Sequence, residues 1–146
     1  MDPVRLLDSR TPTPEPLYPA GARTTPAFRL GAGETFDLLV AGRGVVPAVA
    51  GAVALNVTAV GATASTDVRV YPTPAGAGAV PTVSSLNVAA GTTVANLVTV
   101  TVGAGGRVRL RNAVGAVHLL ADLAGYFTPA GRSSLTGRTP TRLLDT

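Results

Sequence analysis

The chain has 146 residues, the size of one domain, and at that length it can bury roughly 70% of its unfolded surface without a staple. The absence of cysteine excludes disulfides and thiolate metal sites, and because all basic residues are arginine, lysine nucleophiles and Lys–Asn crosslinks are excluded too. The formal charge of +4 is spread along the chain without Lys/Arg runs, so neither a nucleic-acid partner nor a polybasic membrane segment is expected.

Seventeen glycines and twelve prolines punctuate runs of Val, Thr and Leu, a composition that favours many short strands over helices. In chain order, Met1-Asp2-Pro3 lacks the character of a signal-peptide start, and Arg5-Leu6-Leu7-Asp8 reads as the first strand. Thr11 to Pro19 is expected to cross the surface as an extended, polyproline-like segment. Phe28 to Leu30 and Glu34 to Val40 flank Gly31-Ala32-Gly33. The apolar stretch Val45 to Val60 is too short, and too broken by Pro47, Gly51 and Asn56, to span a bilayer, so no membrane insertion is expected. Within it, Val53, Leu55 and Val57 alternate with polar residues.

Val68 and Val70, then Leu86 and Val88, mark further strands. Val98, Val100 and Val102 lead through Gly103-Ala104-Gly105-Gly106 into Val108 and Leu110, which reads as a hairpin. Val117, Leu119, Ala121 and Leu123 form the last long strand, closed by Gly125-Tyr126-Phe127. About eight strands with a turn every ten residues or so predict an antiparallel β-sandwich of jelly-roll or Greek-key type, with a closed barrel as the alternative.

Pro3-Val4-Arg5-Leu6-Leu7-Asp8-Ser9 recurs as Pro140-Thr141-Arg142-Leu143-Leu144-Asp145-Thr146. The period exceeds that of solenoid repeats, so each unit is expected to be a whole domain. Residues 1–139 then form one sandwich, and 140–146 open a second repeat or serve as a strand-exchange segment. Within the unit, Leu55-Asn56-Val57 echoes Leu86-Asn87-Val88, with Asn96-Leu97 related. Asparagine is disfavoured in strands, so these amides are expected to satisfy backbone groups at turns or bulges. Asn56-Val57-Thr58 is formally a glycosylation sequon, but its place inside a strand marks it as accidental.

The opening P-x-R-L-L-D-[ST]-R, the central Val53-Ala54-Leu55-Asn56-Val57-Thr58 and the closing His118-Leu119-Leu120-Ala121-Asp122-Leu123-Ala124-Gly125-Tyr126-Phe127 together resemble a repeat module of secreted and cell-surface actinobacterial proteins. The resemblance covers almost the whole chain and departs from the usual opening only in Ser9, where threonine is common. It implies an extracellular or cell-surface location and a role in adhesion, wall association or surface architecture.

Candidate chemistry is sparse. His118 is the only histidine, and no G-x-S-x-G, Walker or H-E-x-x-H pattern occurs. In a strand Asp122 shares a face with His118 but lies roughly 13 Å along it, too far for a dyad, so a hydrogen-bonded structural histidine is expected and no catalysis. The carboxylates are scattered, with no calcium-loop spacing, and neither a metal nor any other cofactor is expected. Asp8, Asp122 and Asp145 are expected to pair with arginines. In each R-L-L-D motif the Arg and Asp, three apart, should point to opposite faces and find partners elsewhere.

Arg107, Arg109 and Arg111 line one face of a strand, either to grip anionic wall polymers or glycans, or simply as a solubilising row on an outer or edge strand. Tyr18 and Tyr71, each before a proline, could be exposed to a sugar, whereas Tyr126 and Phe127 are expected to cap the core.

The reading that follows is a non-catalytic structural or adhesive module, self-assembling head to tail through Arg5, Leu6, Leu7 and Asp8 and their copies Arg142, Leu143, Leu144 and Asp145. Its partners are then copies of itself or neighbouring repeats. The alternative is a cell-wall or carbohydrate-binding module that anchors an attached enzyme through Arg107, Arg109 and Arg111.

Overall fold

A computed structural model describes residues 2–14, 24–130 and 144. Alternation of apolar and polar residues builds eight main strands: β1 (Val4–Asp8), β4 (Thr35–Leu39), β5 (Ala52–Val60), β6 (Thr66–Pro72), β7 (Leu86–Val88), β8 (Thr93–Thr101), β9 (Arg107–Asn112) and β10 (His118–Phe127). Two further segments, β2 (Thr13–Pro14) and β3 (Thr24–Thr25), form a two-residue ribbon. The Pro-rich crossing expected over Thr11 to Pro19 therefore includes a short paired piece, and its remainder lies outside the described residues.

The main strands form two antiparallel four-stranded sheets, ordered β1-β10-β5-β8 and β4-β9-β6-β7. The hydrogen-bonded pairs β1·β10, β4·β9, β5·β8 and β6·β7 are nested, each enclosed by the one before it along the chain. A long hairpin rolled so that its paired strands alternate between two sheets is a jelly roll, the topology anticipated from strand number and spacing. Inward residues of both sheets, among them Leu55, Val57, Leu119 and Leu123 from one and Val68, Val70, Val108 and Leu110 from the other, fuse into a single buried cluster. Phe28 stacks on Phe36 beside it, with ring centroids 4.9 Å apart.

One sequence expectation about neighbours fails. The stretch from Val98 to Leu110 is not a hairpin: β8 pairs with β5, while β9 pairs with β4 and β6 in the opposite sheet. Its glycine-rich turn crosses a corner of the sandwich through a 3₁₀ turn, Ala104–Gly106. Gly103 sits so close to β6 that a Cβ there would lie 2.2 Å from the Thr73 nitrogen, so only glycine fits. Phe28 to Leu30 and Glu34 to Val40 flank Gly31-Ala32-Gly33, as read from the sequence, and they find partners on other elements. Leu30 bridges to Val117, and the Phe28 N–H donates to the Ser9 carbonyl. The aromatic expectations also reverse: Tyr71 is buried and Tyr126 is exposed.

Asn112 continues the inward phase of Val108 and Leu110 and is fully buried. Its Nδ2 lies 3.0 to 3.2 Å from the carbonyls of Leu30, Gly31, Val114 and Gly115, and its Oδ1 accepts from the Thr66 hydroxyl at 2.7 Å. Thr66 Oγ1 in turn accepts from the Val114 N–H. One amide thus ties three chain segments together at one end of the sandwich. Asn112→Ala, which strands these carbonyls in the interior, is expected to destabilise the fold by about 3 kcal/mol in chemical denaturation. Asn112→Asp keeps the shape but sets carboxylate oxygen against carbonyl oxygen, and should cost at least as much.

Candidate functional site

The opening and closing motifs meet where β1 runs antiparallel to β10, with Arg5 opposite Asp122 and Asp8 opposite Leu120. A β-bulge between Arg5 and Leu7 inserts one residue into β1. It lets the consecutive Leu6 and Leu7 both be buried, at 4% and 1% exposure. It also brings Arg5 and Asp8 to the same face, contrary to the opposite-face expectation for an unbroken strand.

Arg5 grips Asp122 through Nε and, at 3.0 Å, through Nη2, and its Nη1 reaches Asp8 at 3.3 Å. Arg10 closes on Asp8 from the other side, through Nε at 2.9 Å, Nη2 at 2.7 Å and its own backbone N–H at 3.1 Å. The result is an alternating chain, Asp122, Arg5, Asp8, Arg10. The hydrogen bonds from the Arg10 side chain, above all, bring the Asp8 carboxyl down to about 2, and the bond to Asp122 raises Arg5 above its ordinary value. Asp8 and Asp122 thus pair with arginines, as expected. Among the described residues no group of three or more His, Asp or Glu side chains converges on a metal position.

Beside this chain, Ser9 and His118 complete the seam. Ser9 Oγ accepts from the Leu119 N–H at 2.8 Å and lies 3.2 Å from His118 Nδ1, which is 2.9 Å from the Phe28 carbonyl. A carbonyl oxygen can only accept, so Nδ1 carries the proton and donates it to Phe28. This tautomer cannot take a proton from Ser9 through Nδ1, and Ser9 is 1% exposed. The pair links β1, β10 and the segment ahead of β4 by hydrogen bonds, so His118 is hydrogen-bonded, as expected. Asp122 bonds to Arg5 and makes no hydrogen bond to His118.

The arginine row occupies the outer face of the other sheet, on a central strand rather than the outer or edge strand expected, since β9 lies between β4 and β6. Asp37 of β4 holds Arg109 bidentately at 2.7 and 2.8 Å, and that guanidinium, more than any other group, lowers the Asp37 carboxyl below its usual range. Arg107 donates to the Asp37 backbone carbonyl at 3.3 Å, and Arg111 has no hydrogen bond or ion pair among the described residues. Arg69 of β6 lies directly opposite Arg111 and is held by Asp67 and the Pro81 carbonyl.

Arg10, Asp37, Thr66 and Asn112 were not singled out from the sequence, and Ser9 only as a departure from the usual opening. Ser9 and Arg10 stand inside the opening motif, Asp37 shares the alternation of Glu34 to Val40, and Asn112 is a polar residue at an inward position. Of the expected amide contacts, Asn96 donates to the Ser85 carbonyl at 2.8 Å, whereas Asn87 accepts from the Ser84 side chain instead of serving a backbone group. Of the second motif copy, Arg142, Leu143 and Asp145 lie outside the described residues, as does Tyr18. Comparison with protein-family models, with curated proteins and with solved structures finds no match.

A carboxyl held below its ordinary range stabilises the fold above the unfolded value, near pH 4, and that contribution fades as the pH falls toward about 2. Arg10→Ala removes the main cause. It is expected to raise the Asp8 value in an NMR titration and to move acid unfolding to higher pH. Separately, Ser9→Ala leaves the Leu119 N–H without its acceptor and should cost about 2 kcal/mol by denaturant titration, while Ser9→Thr, which keeps the hydroxyl, retains most of the stability.

Proposed function

We propose that this chain is a non-catalytic structural or adhesive module of an extracellular or cell-surface protein, used in head-to-tail series with the R-L-L-D strand as the joint between copies. The observation that carries the reading is that the repeated motif is the strand whose seat on β10 completes its sheet. The distinctive side chains of the motif are engaged in holding that strand, either in hydrogen bonds and ion pairs or buried in the core.

Arg142-Leu143-Leu144-Asp145-Thr146 offers the same set: an arginine for Asp122, two leucines for the interior, a carboxylate, and a hydroxyl in the place of Ser9. Leu7 is 1% exposed in its seat, whereas its counterpart Leu144 is 77% exposed. An apolar residue of a packing motif left in water gains by burial in an equivalent seat elsewhere. The seat on β10 of another copy fits it, and such an exchange, being heterologous, continues into filaments unless it closes into a ring.

Light scattering with electron microscopy on the chain and on a version ending at Thr139 tests this. The full chain is expected to form concentration-dependent oligomers or filaments, and both the shortened chain and Leu144→Asp to remain monomeric. A full chain that stays monomeric at high concentration overturns the joint.

A further inference from the structure

The outer face of the β4-β9-β6-β7 sheet has no part in the seam and carries an electrostatic imbalance. By register, Thr35, Arg111 and Arg69 form one row across it, and Asp37, Arg109 and Tyr71 the next. With Arg107 and Asp67 this face holds the cations Arg69, Arg107, Arg109 and Arg111 against the carboxylates Asp37 and Asp67. Both carboxylates are already bound, to Arg109 and Arg69 respectively.

Two guanidinium groups are left over. Arg107 has a backbone carbonyl as its partner and Arg111 has none among the described residues. Like charges directly opposite each other in a sheet are destabilising, and Arg111 faces Arg69 on the neighbouring strand. At the corner beside Arg107, Arg43 is half-buried, donates to the Leu39 carbonyl at 3.3 Å and has no carboxylate partner among the described residues.

The spacing decides what could answer these charges. Arg107 and Arg111 are four residues apart on one strand, about 13 Å, with the neutralised Arg109–Asp37 pair between them. That backbone spacing is wider than a single small anion. An extended chain with recurring acidic groups can span it. Among the described residues no aromatic ring is offered at the centre of this face, since Tyr71 is buried, so nucleobases would find no stacking platform there.

We infer that this face binds a linear acidic polysaccharide, with Arg107 and Arg111 as its two contact points and Arg69 reinforcing the second. The site is independent of the R-L-L-D joint, which lies in the other sheet. Carboxylate and sulfate groups share the chemistry that guanidinium recognises, and a pair of probes separates them.

The test is titration calorimetry of the full chain at low and moderate salt with polygalacturonate, a heparin decasaccharide, inorganic phosphate and a single-stranded oligonucleotide. At least one of the two polysaccharides is expected to bind saturably, with affinity that falls as salt rises, and the tighter names the acidic group. The double variant Arg107→Ala/Arg111→Ala should weaken binding at least about tenfold, while Arg10→Ala/Arg29→Ala, which removes two charges outside this face, leaves it within about twofold. Arg111→Ala alone should also raise the melting temperature at low salt, because it relieves the opposition to Arg69. Equal losses in the two double variants, equally tight oligonucleotide binding, displacement by millimolar phosphate alone, or no binding by either polysaccharide would each overturn the assignment.

Discussion

The first strand of this molecule must find the last. β1 meets β10 across almost the whole chain, with Arg5 and Asp122 separated by 117 positions, and the nested order of pairs places every other pairing inside that closure. Such topology is dominated by contacts distant in sequence, which carry a loop-closure cost before they return any stabilisation. The seam is built accordingly. A bulge buries two consecutive leucines where a regular strand would bury one, and it frees Arg5 and Asp8 to act together on one face. Ser9 then satisfies a backbone donor of β10 directly. The motif is therefore best understood as a strand together with the fastenings that hold it, since the leucines need the bulge and the bulge brings the charges into range.

The two outer faces use arginine in opposite ways. At the seam each guanidinium has a carboxylate and the charges alternate, so the group is neutral and locally complete. On the other sheet two of four guanidinium groups have no carboxylate partner among the described residues, and one of these stands opposite another cation. Exposed ion pairs contribute little on average, so the importance of the first arrangement lies in geometry and register more than in energy. The second arrangement costs stability in isolation, because like charges face each other across neighbouring strands.

Much of the architecture was legible because alternation is a direct imprint of a sheet with one buried face. Val53, Leu55 and Val57, or Val108 and Leu110, announce both strand and orientation. Partners were harder to read. Gly103 to Gly106 has the composition of a hairpin turn, yet the chain crosses there to the other sheet, with Gly103 packed tightly against Thr73. The bulge after Arg5 leaves no mark in composition, which is why Arg5 and Asp8 were expected on opposite faces. Asn112 could have been found by following its strand two residues beyond Leu110 to a polar residue at an inward position. Asp37 needed the pairing of β4 with β9, which alternation within one strand cannot supply.

The open edge of β1 bears on how one copy could join another. A bulged strand presents an interrupted ladder, and short, bulged, charged edges resist the addition of a further strand. A second R-L-L-D segment laid alongside β1 would meet that interruption and would find no cavity for its leucines, because Leu6 and Leu7 fill it. The same segment in place of β1 would meet Asp122, the interior and the Leu119 N–H in the positions its side chains match. Joining copies through this motif therefore requires substitution, with β1 released as its duplicate enters. In the proposed exchange β1 must first leave β10, and what holds it there are the same Arg5, Asp8, Ser9 and Arg10 contacts that close the single domain.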